Sequence, residues 1–132
     1  MRKQRTCVII DDEQRGREYL SGLLARHFPE IREEGQAVSV NESIALIDGT
    51  RPDVVFLDIE LIGGTAFDVL DKIDTPPSVI IFTTALSNYR TETRRFSGAR
   101  FLLKPISIAD LRSALVSKEG ADQGTRAQAD AG

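Results

Sequence analysis

Five apolar runs set the rhythm of the chain: residues 7–10, a weaker stretch within 31–40, and residues 54–57, 79–82 and 101–103. They are short, rich in β-branched and aromatic residues, and bounded by polar or turn-forming positions, which reads as buried strands. Segments with helical spacing separate them, and this alternation predicts a doubly wound parallel α/β sheet. The first helix is expected over 14–27, with Tyr19, Leu20, Leu23 and Leu24 as an inward stripe and Pro29 beyond its end. A short second helix is expected over 42–48, stopped at Gly49, with Ile44 and Ile47 toward the core. A third is expected over 66–73 before Pro76-Pro77, and a fourth over 88–95. The last follows Ser107-Ile108-Ala109-Asp110, a capping box with Asp in place of Glu, and is striped by Ile108, Leu111 and Leu115. From residue 119 onward the chain carries only small and polar residues, too few apolar groups to order a tail. The expected organisation is one domain over 1–118 and a disordered tail over 119–132.

Chemistry gathers at the ends of these runs. Asp11 and Asp12 follow the first, Asp58 the third, Thr83 and Thr84 the fourth, and Lys104 the fifth. In an open parallel sheet the crevice beyond the carboxyl ends of the strands binds ligands. Folding then brings three acids, a hydroxyl and an ammonium to one place. Clustered carboxylates stay ionised at neutral pH only beside a cation, and an all-oxygen set favours a hard ion such as Mg²⁺. A metal alone leaves Lys104 and Thr84 without a role. If Asp58 attacks a phosphoryl group, the metal and Lys104 neutralise its oxygens and the threonine donates to one of them, giving an aspartyl phosphate. Taken singly, each acid is as well explained by a turn or a helix cap, and Lys104 by solvation. Their joint occurrence at four strand ends outweighs those readings.

The series Asp11-Asp12-Glu13, Asp58, Thr84-Ala85 and Lys104-Pro105, in this order and at these spacings, resembles the receiver domain of bacterial two-component response regulators. The stretches PDVVFLDIE (52–60), IIFTTA (80–85) and FLLKPI (101–106) are most similar to receivers of the LytTR branch, and the match runs from about Thr6 to Ser117. The resemblance implies a flavodoxin-like fold with five parallel strands in the order 2-1-3-4-5. It places the second strand at 31–36, although Arg32-Glu33-Glu34 is polar for a strand and 37–40 reads better by propensity; an edge position suits such polarity. It further implies that Asp12, Asp58 and the backbone carbonyl of Glu60 hold Mg²⁺, with Asp11 acting mainly through metal-bound water. Asp58 takes a phosphoryl group from a histidine kinase or phosphotransfer protein. Thr84, aligned by the Ala85 that follows it, and Lys104 then respond, and Phe101 is the aromatic that swings inward. Lys104-Pro105 is the expected cis bond. An output partner is expected on the face formed by the fourth helix, fifth strand and last helix, and such a domain is a phosphoacceptor with at most slow autodephosphorylation, not an enzyme.

Composition narrows the remaining classes. At 132 residues and 41% hydrophobic content the chain suits one globular core. No apolar stretch has membrane-spanning length and the first residues lack a secretion signal, so the expectation is a cytoplasmic chain without membrane contact. Cys7, the lone cysteine, falls in the first strand and reads as a small buried hydrophobe. A net charge of −3 gives no general attraction to nucleic acid, so no direct binding to it is expected.

The pattern also departs from the family. Related receivers carry Pro four residues and Gly eight residues after the phosphorylated Asp, where this chain has Ile62 and Ala66, although Gly63-Gly64 remains. Arg90, Arg94, Arg95 and Arg100 make the face beside strand five basic, by a solvated helix surface or as the dock of an acidic partner. LytTR regulators continue into a DNA-binding domain, and a stand-alone receiver and one separated from its output domain both fit. Two rivals remain. A haloacid-dehalogenase-type phosphatase shares the Asp, Thr and Lys chemistry but needs an Asp where this chain has Glu60, and a cap for which there is no room. A receiver-like scaffold that binds partners without phosphorylation would not need the full reactive set.

Overall fold

Parallel strands joined by helices must be covered on both faces, and the burial pattern follows that rule. The computed structural model describes residues 4–85, 96 and 98–116. Among them, β1 (Arg5–Ile10), α1 (Gln14–His27), β2 (Ile31–Ala37), α2 (Val40–Thr50) and β3 (Val54–Asp58) are followed by the two-residue strands β4 (Glu60–Leu61) and β5 (Gly64–Thr65). Then come α3 (Ala66–Lys72), β6 (Val79–Thr84), β7 (Arg100–Leu103) and α4 (Ile108–Val116). One sheet runs β2-β1-β3-β6-β7, every pair parallel. With the small antiparallel β4–β5 pair left aside, this is the expected 2-1-3-4-5 order. The predicted helix at 88–95, with Arg90, Arg94 and Arg95, and the predicted tail from 119 lie outside the described residues.

Strand alternation splits the core into two layers. Cys7 and Ile9 of β1 and Phe56 of β3 pack with Leu20, Leu23 and Leu24 of α1 and Leu111 and Leu115 of α4. Val8, Ile10, Val55 and Leu57 point the other way, against Ile47 of α2 and Val69 of α3. Every residue of β3, the central strand, is buried, so the strand that ends in Asp58 is covered on both faces. Truncating Phe56 to Ala there would cost about 3–5 kcal/mol. Burial also pushes the Cys7 thiol up to about 12, with Glu33 and Glu34 nearby adding to the effect.

The polar second strand has a simple explanation. β2 is an edge strand, and its register against β1 shifts between Cys7 and Val8, whose partners are Glu33 and Gly35. Glu34 is left out of the ladder and pairs instead with Arg32 at 2.8 Å. Other expectations are corrected. Tyr19 is 51% exposed, its hydroxyl donating to the Ile106 carbonyl at 2.8 Å, so only the leucines of the α1 stripe enter the core. Ile108 is exposed as well, while Leu111 and Leu115 are buried. Gly49 does not end α2. That helix begins at Val40 because the Ser39 hydroxyl accepts from the Glu42 amide at 3.1 Å, and it turns left-handed only at Arg51 (φ 50°).

Candidate functional site at the carboxyl rim of the sheet

Because β1, β3, β6 and β7 run parallel, the residues that follow them share one rim. Asp11 follows β1 and is almost wholly buried. Its amide donates to the Ala37 carbonyl at 3.1 Å, and its Oδ1 accepts from the Glu13 amide at 2.9 Å. Asp12 is exposed beside it. Asp58 closes β3 and is buried, with Oδ1 accepting from the Ile59 amide at 2.8 Å. Lys104 follows β7; its amide donates to the Thr84 carbonyl at 2.8 Å and its bond to Pro105 is cis. The Lys104 Nζ donates to Asp11 Oδ2 at 2.7 Å and to Asp58 Oδ2 at 3.3 Å. Asp11, Asp12 and Asp58 each offer an oxygen within 4.8 Å of the others.

The charge balance of this cluster is unfavourable as it stands. Two like charges that close repel by about 3–4 kcal/mol at the effective dielectric of a protein surface. Three carboxylates make three such pairs, and among the described residues one ammonium, that of Lys104, lies against two of the three acids. Burial is the main force on Asp58. It pushes the carboxyl up to about 7; Lys104 works against the rise and Asp11 adds to it. Burial also disfavours the Lys104 charge, but the hydrogen bond to Asp11 and the two carboxylates outweigh it, so its pKa is raised. The donor set is all oxygen, crowded and short of positive charge, which fits a hard divalent cation such as Mg²⁺.

The remaining predicted residues fall around this centre. Thr84 is buried at the end of β6, and Thr83, also buried, stands opposite Asp58 in the β3–β6 register. Thr83 lines a cavity with Asp11, Lys104 and Tyr19, whereas alternation puts Thr84 on the face of Phe82. Phe101 is partly buried against that second layer, level with Phe82. Glu60 lies on β4, opposite Thr65 of β5.

Sequence reasoning missed two parts of the surroundings. The segment after Asp58 is a small hairpin turned by Gly63 and Gly64 (φ 90° and 151°), and it is bound to the start of α2. Ile62 donates to the Val38 carbonyl at 3.3 Å, and Val40 donates to the Ile62 carbonyl at 2.9 Å. The first of these bonds uses an N–H that proline lacks, so the Ile62 departure is its sequence signal. A side chain at Gly64 would collide with Asp68 and Val40. The second is Arg17 of α1, whose guanidinium donates to the Asp11 carbonyl at 2.9 Å and to Gln36 Oε1 at 3.1 Å. Nothing in the local pattern marks that residue.

Comparisons with known proteins agree with this geometry. The model of the response regulator receiver domain matches residues 7–116. The chain is 34% identical over 111 residues to the positive alginate biosynthesis regulatory protein of Pseudomonas aeruginosa, which covers 82% of this chain and 44% of that one. It is 32% identical over 100 residues to the sensory transduction protein LytT of Enterococcus faecalis, 74% of this chain and 41% of that one. The chain thus spans less than half the length of these relatives. Among solved structures, the N-terminal domain of an uncharacterized protein from Wolinella succinogenes superposes with a TM-score of 0.73 at 27% identity, over 89% of this chain and 96% of that one. A CheY-like receiver domain from Methylobacillus flagellatus also reaches 0.73, at 19% identity, over 89% and 100% of the two chains; that likeness concerns fold alone. Among the described residues no helix is long and apolar enough to cross a membrane. The chain belongs to the response regulator receiver domain family, and LytT-type regulators are among its relatives.

Proposed function

We propose that this receiver domain accepts a phosphoryl group on Asp58 and passes the change to a partner through Thr84, Phe101 and Lys104. The observation that carries the reading is the meeting of Lys104 Nζ with Asp58 Oδ2 at 3.3 Å and Asp11 Oδ2 at 2.7 Å. Groups distant in sequence converge there on one buried carboxylate at a strand end, which suits nucleophilic attack on an anionic electrophile. Asp12, Asp58 and the Glu60 backbone carbonyl, with Asp11 beside them, would hold Mg²⁺. Once bound, the ion supplies positive charge for the phosphoryl oxygens.

The donor is a phosphohistidine on a histidine kinase or phosphotransfer protein. An Asp58 oxygen bonds to phosphorus while the P–N bond breaks, and the imidazole leaves with that electron pair and takes up a proton. Lys104 stays within reach of the new anion, which draws in the Thr84 hydroxyl as a donor; the resemblance selects Thr84, the threonine before Ala85, although Thr83 is the one that lines the cavity beforehand. The Thr84 carbonyl already holds the Lys104 amide, so a move of either residue is felt by the other. Phe101 occupies a partly buried position from which an inward rotation alters the face of β7 where an output partner docks. The cytoplasm is where such a kinase partner would meet the chain.

The test is incubation with acetyl phosphate and Mg²⁺, followed by intact-mass measurement. One added phosphoryl group on the wild-type chain and none on Asp58→Asn is the expected result. No gain in the wild-type chain would sink the proposal and favour the phosphorylation-independent scaffold. Steady turnover of small phosphomonoesters would instead point to a phosphatase.

A further inference from the structure

Asp11 is held at every polar atom. Its amide donates to Ala37 of β2, its Oδ1 accepts from the Glu13 amide, and its Oδ2 accepts from Lys104. The fourth atom, its carbonyl oxygen, accepts from the Arg17 guanidinium at 2.9 Å. The same guanidinium reaches Gln36 Oε1 through Nε, so one planar group joins the β1–α1 turn to the edge strand. Gln36 donates onward to Glu33 Oε2 at 2.8 Å, and Glu33 Oε1 accepts from the Ser21 hydroxyl at 2.6 Å. The chain of bonds therefore leaves α1 at Arg17, runs along β2 through Gln36 and Glu33, and returns to α1 at Ser21.

Beside it, Gly16 makes room for the carboxylate. A Cβ at that position would stand 2.5 Å from Asp11 Oδ2. The two neighbours thus act on opposite sides of one residue: Arg17 grips the main chain of Asp11 and Gly16 leaves space for its side chain.

We propose that Arg17 is a positioning residue for the acidic rim, fixing the turn that sets the Asp11 and Asp12 carboxylates beside Asp58. The inference rests on the reading of that rim as a Mg²⁺-dependent phosphoacceptor site. Groups that orient ligands from behind commonly change metal affinity by about ten- to a hundredfold when removed. A simple surface role on α1 predicts no such change. Lysine at this position reaches one acceptor but cannot span both, so it restores only part of the effect.

The experiment is an NMR titration of the labelled full chain with Mg²⁺, together with metal-free amide hydrogen exchange at Glu13 and urea unfolding. Arg17→Gln should weaken Mg²⁺ binding about tenfold and speed exchange of the Glu13 amide, with Arg17→Lys in between. Gln36→Leu, which removes only the distal anchor, should weaken binding by about threefold and serves if Arg17→Gln folds poorly. Binding by Arg17→Gln within twofold of the wild type would overturn the inference, provided the wild-type chain itself binds. A wild-type chain that takes neither Mg²⁺ nor phosphoryl group defeats the functional reading instead. The metal-free exchange rates then decide the role of Arg17: faster exchange in Arg17→Gln supports it, and unchanged exchange overturns it.

Discussion

β3 has an aspartate at each end, and the two are treated in opposite ways. Asp53, just before the strand, accepts from the Thr6 amide at 2.8 Å and donates its own amide to the Thr6 carbonyl at 3.1 Å. Its carboxylate is answered by a single neutral residue, the amide and more distantly (3.4 Å) the hydroxyl of Thr6, in a partly buried turn that ties β1 to β3. Asp58, at the far end, has one backbone donor and shares a single ammonium with Asp11, and burial opposes its charge. Residue type and strand are the same, yet one end is chemically closed and the other open. In the proposed reading, reactivity at Asp58 comes from a buried acid whose charge burial opposes and whose ammonium is shared, a condition that a parallel sheet concentrates at one rim.

The largest expected difference between the two ends is all or none. Asp58→Asn should abolish phosphoryl uptake by mass, while Asp53→Asn should retain it; equal loss in both would break the contrast. Lys104→Ala should still take up the group but fail to pass the change on. That is checked by hydrogen exchange over residues 86–95 with and without acetyl phosphate, and a wild-type response in the variant counts against the coupling.

Stability should move in opposite directions at the two ends. The folded Asp58 carboxyl sits at about 7 against an ordinary 3.8, so its contribution to stability is intact below about pH 4 and lost as pH rises through 7. Without metal, Asp58→Asn should therefore stabilise the domain at pH 8 by roughly 1–2 kcal/mol, and the gain should fade toward pH 4. Asp53→Ala should cost roughly 1–2 kcal/mol at pH 8, since it strips the part-buried Thr6 donors of their acceptor. Urea unfolding in EDTA measures both, and a destabilised Asp58→Asn would overturn the account of that end.

A smaller effect belongs to Cys7. Its thiol lies at about 12 when folded against 9.0 ordinarily, so its contribution is intact below pH 9 and lost between 9 and 12. Wild-type stability should fall more steeply than that of Cys7→Ala above pH 9, by on the order of 1 kcal/mol per pH unit. Parallel slopes would show that burial does not govern this thiol.

Much of this was legible in the residues. Apolar runs ending in Asp11, Asp58 and Lys104 foretell both the sheet and the meeting of those three side chains, because strand ends in a parallel sheet share one rim. Periodicity is weaker where a side chain has both an apolar body and a polar tip. Tyr19 has helical spacing with the leucines, yet its hydroxyl finds the Ile106 carbonyl at the surface. Gly49 suggested a helix end that Ser39, Thr50 and Arg51 together move outward on both sides. The Arg17 contact is invisible in sequence, since it depends on how β2 lies against α1 and not on any local spacing.

The bridge between Ser39 and Ile62 has a consequence for recognition. Ordering a free backbone costs about 1–2 kcal/mol per residue at the moment of association. Stitched to the start of the second helix, the hairpin beyond Asp58 has met most of that entropy on folding, so a protein approaching this side of the domain finds a preorganised wall.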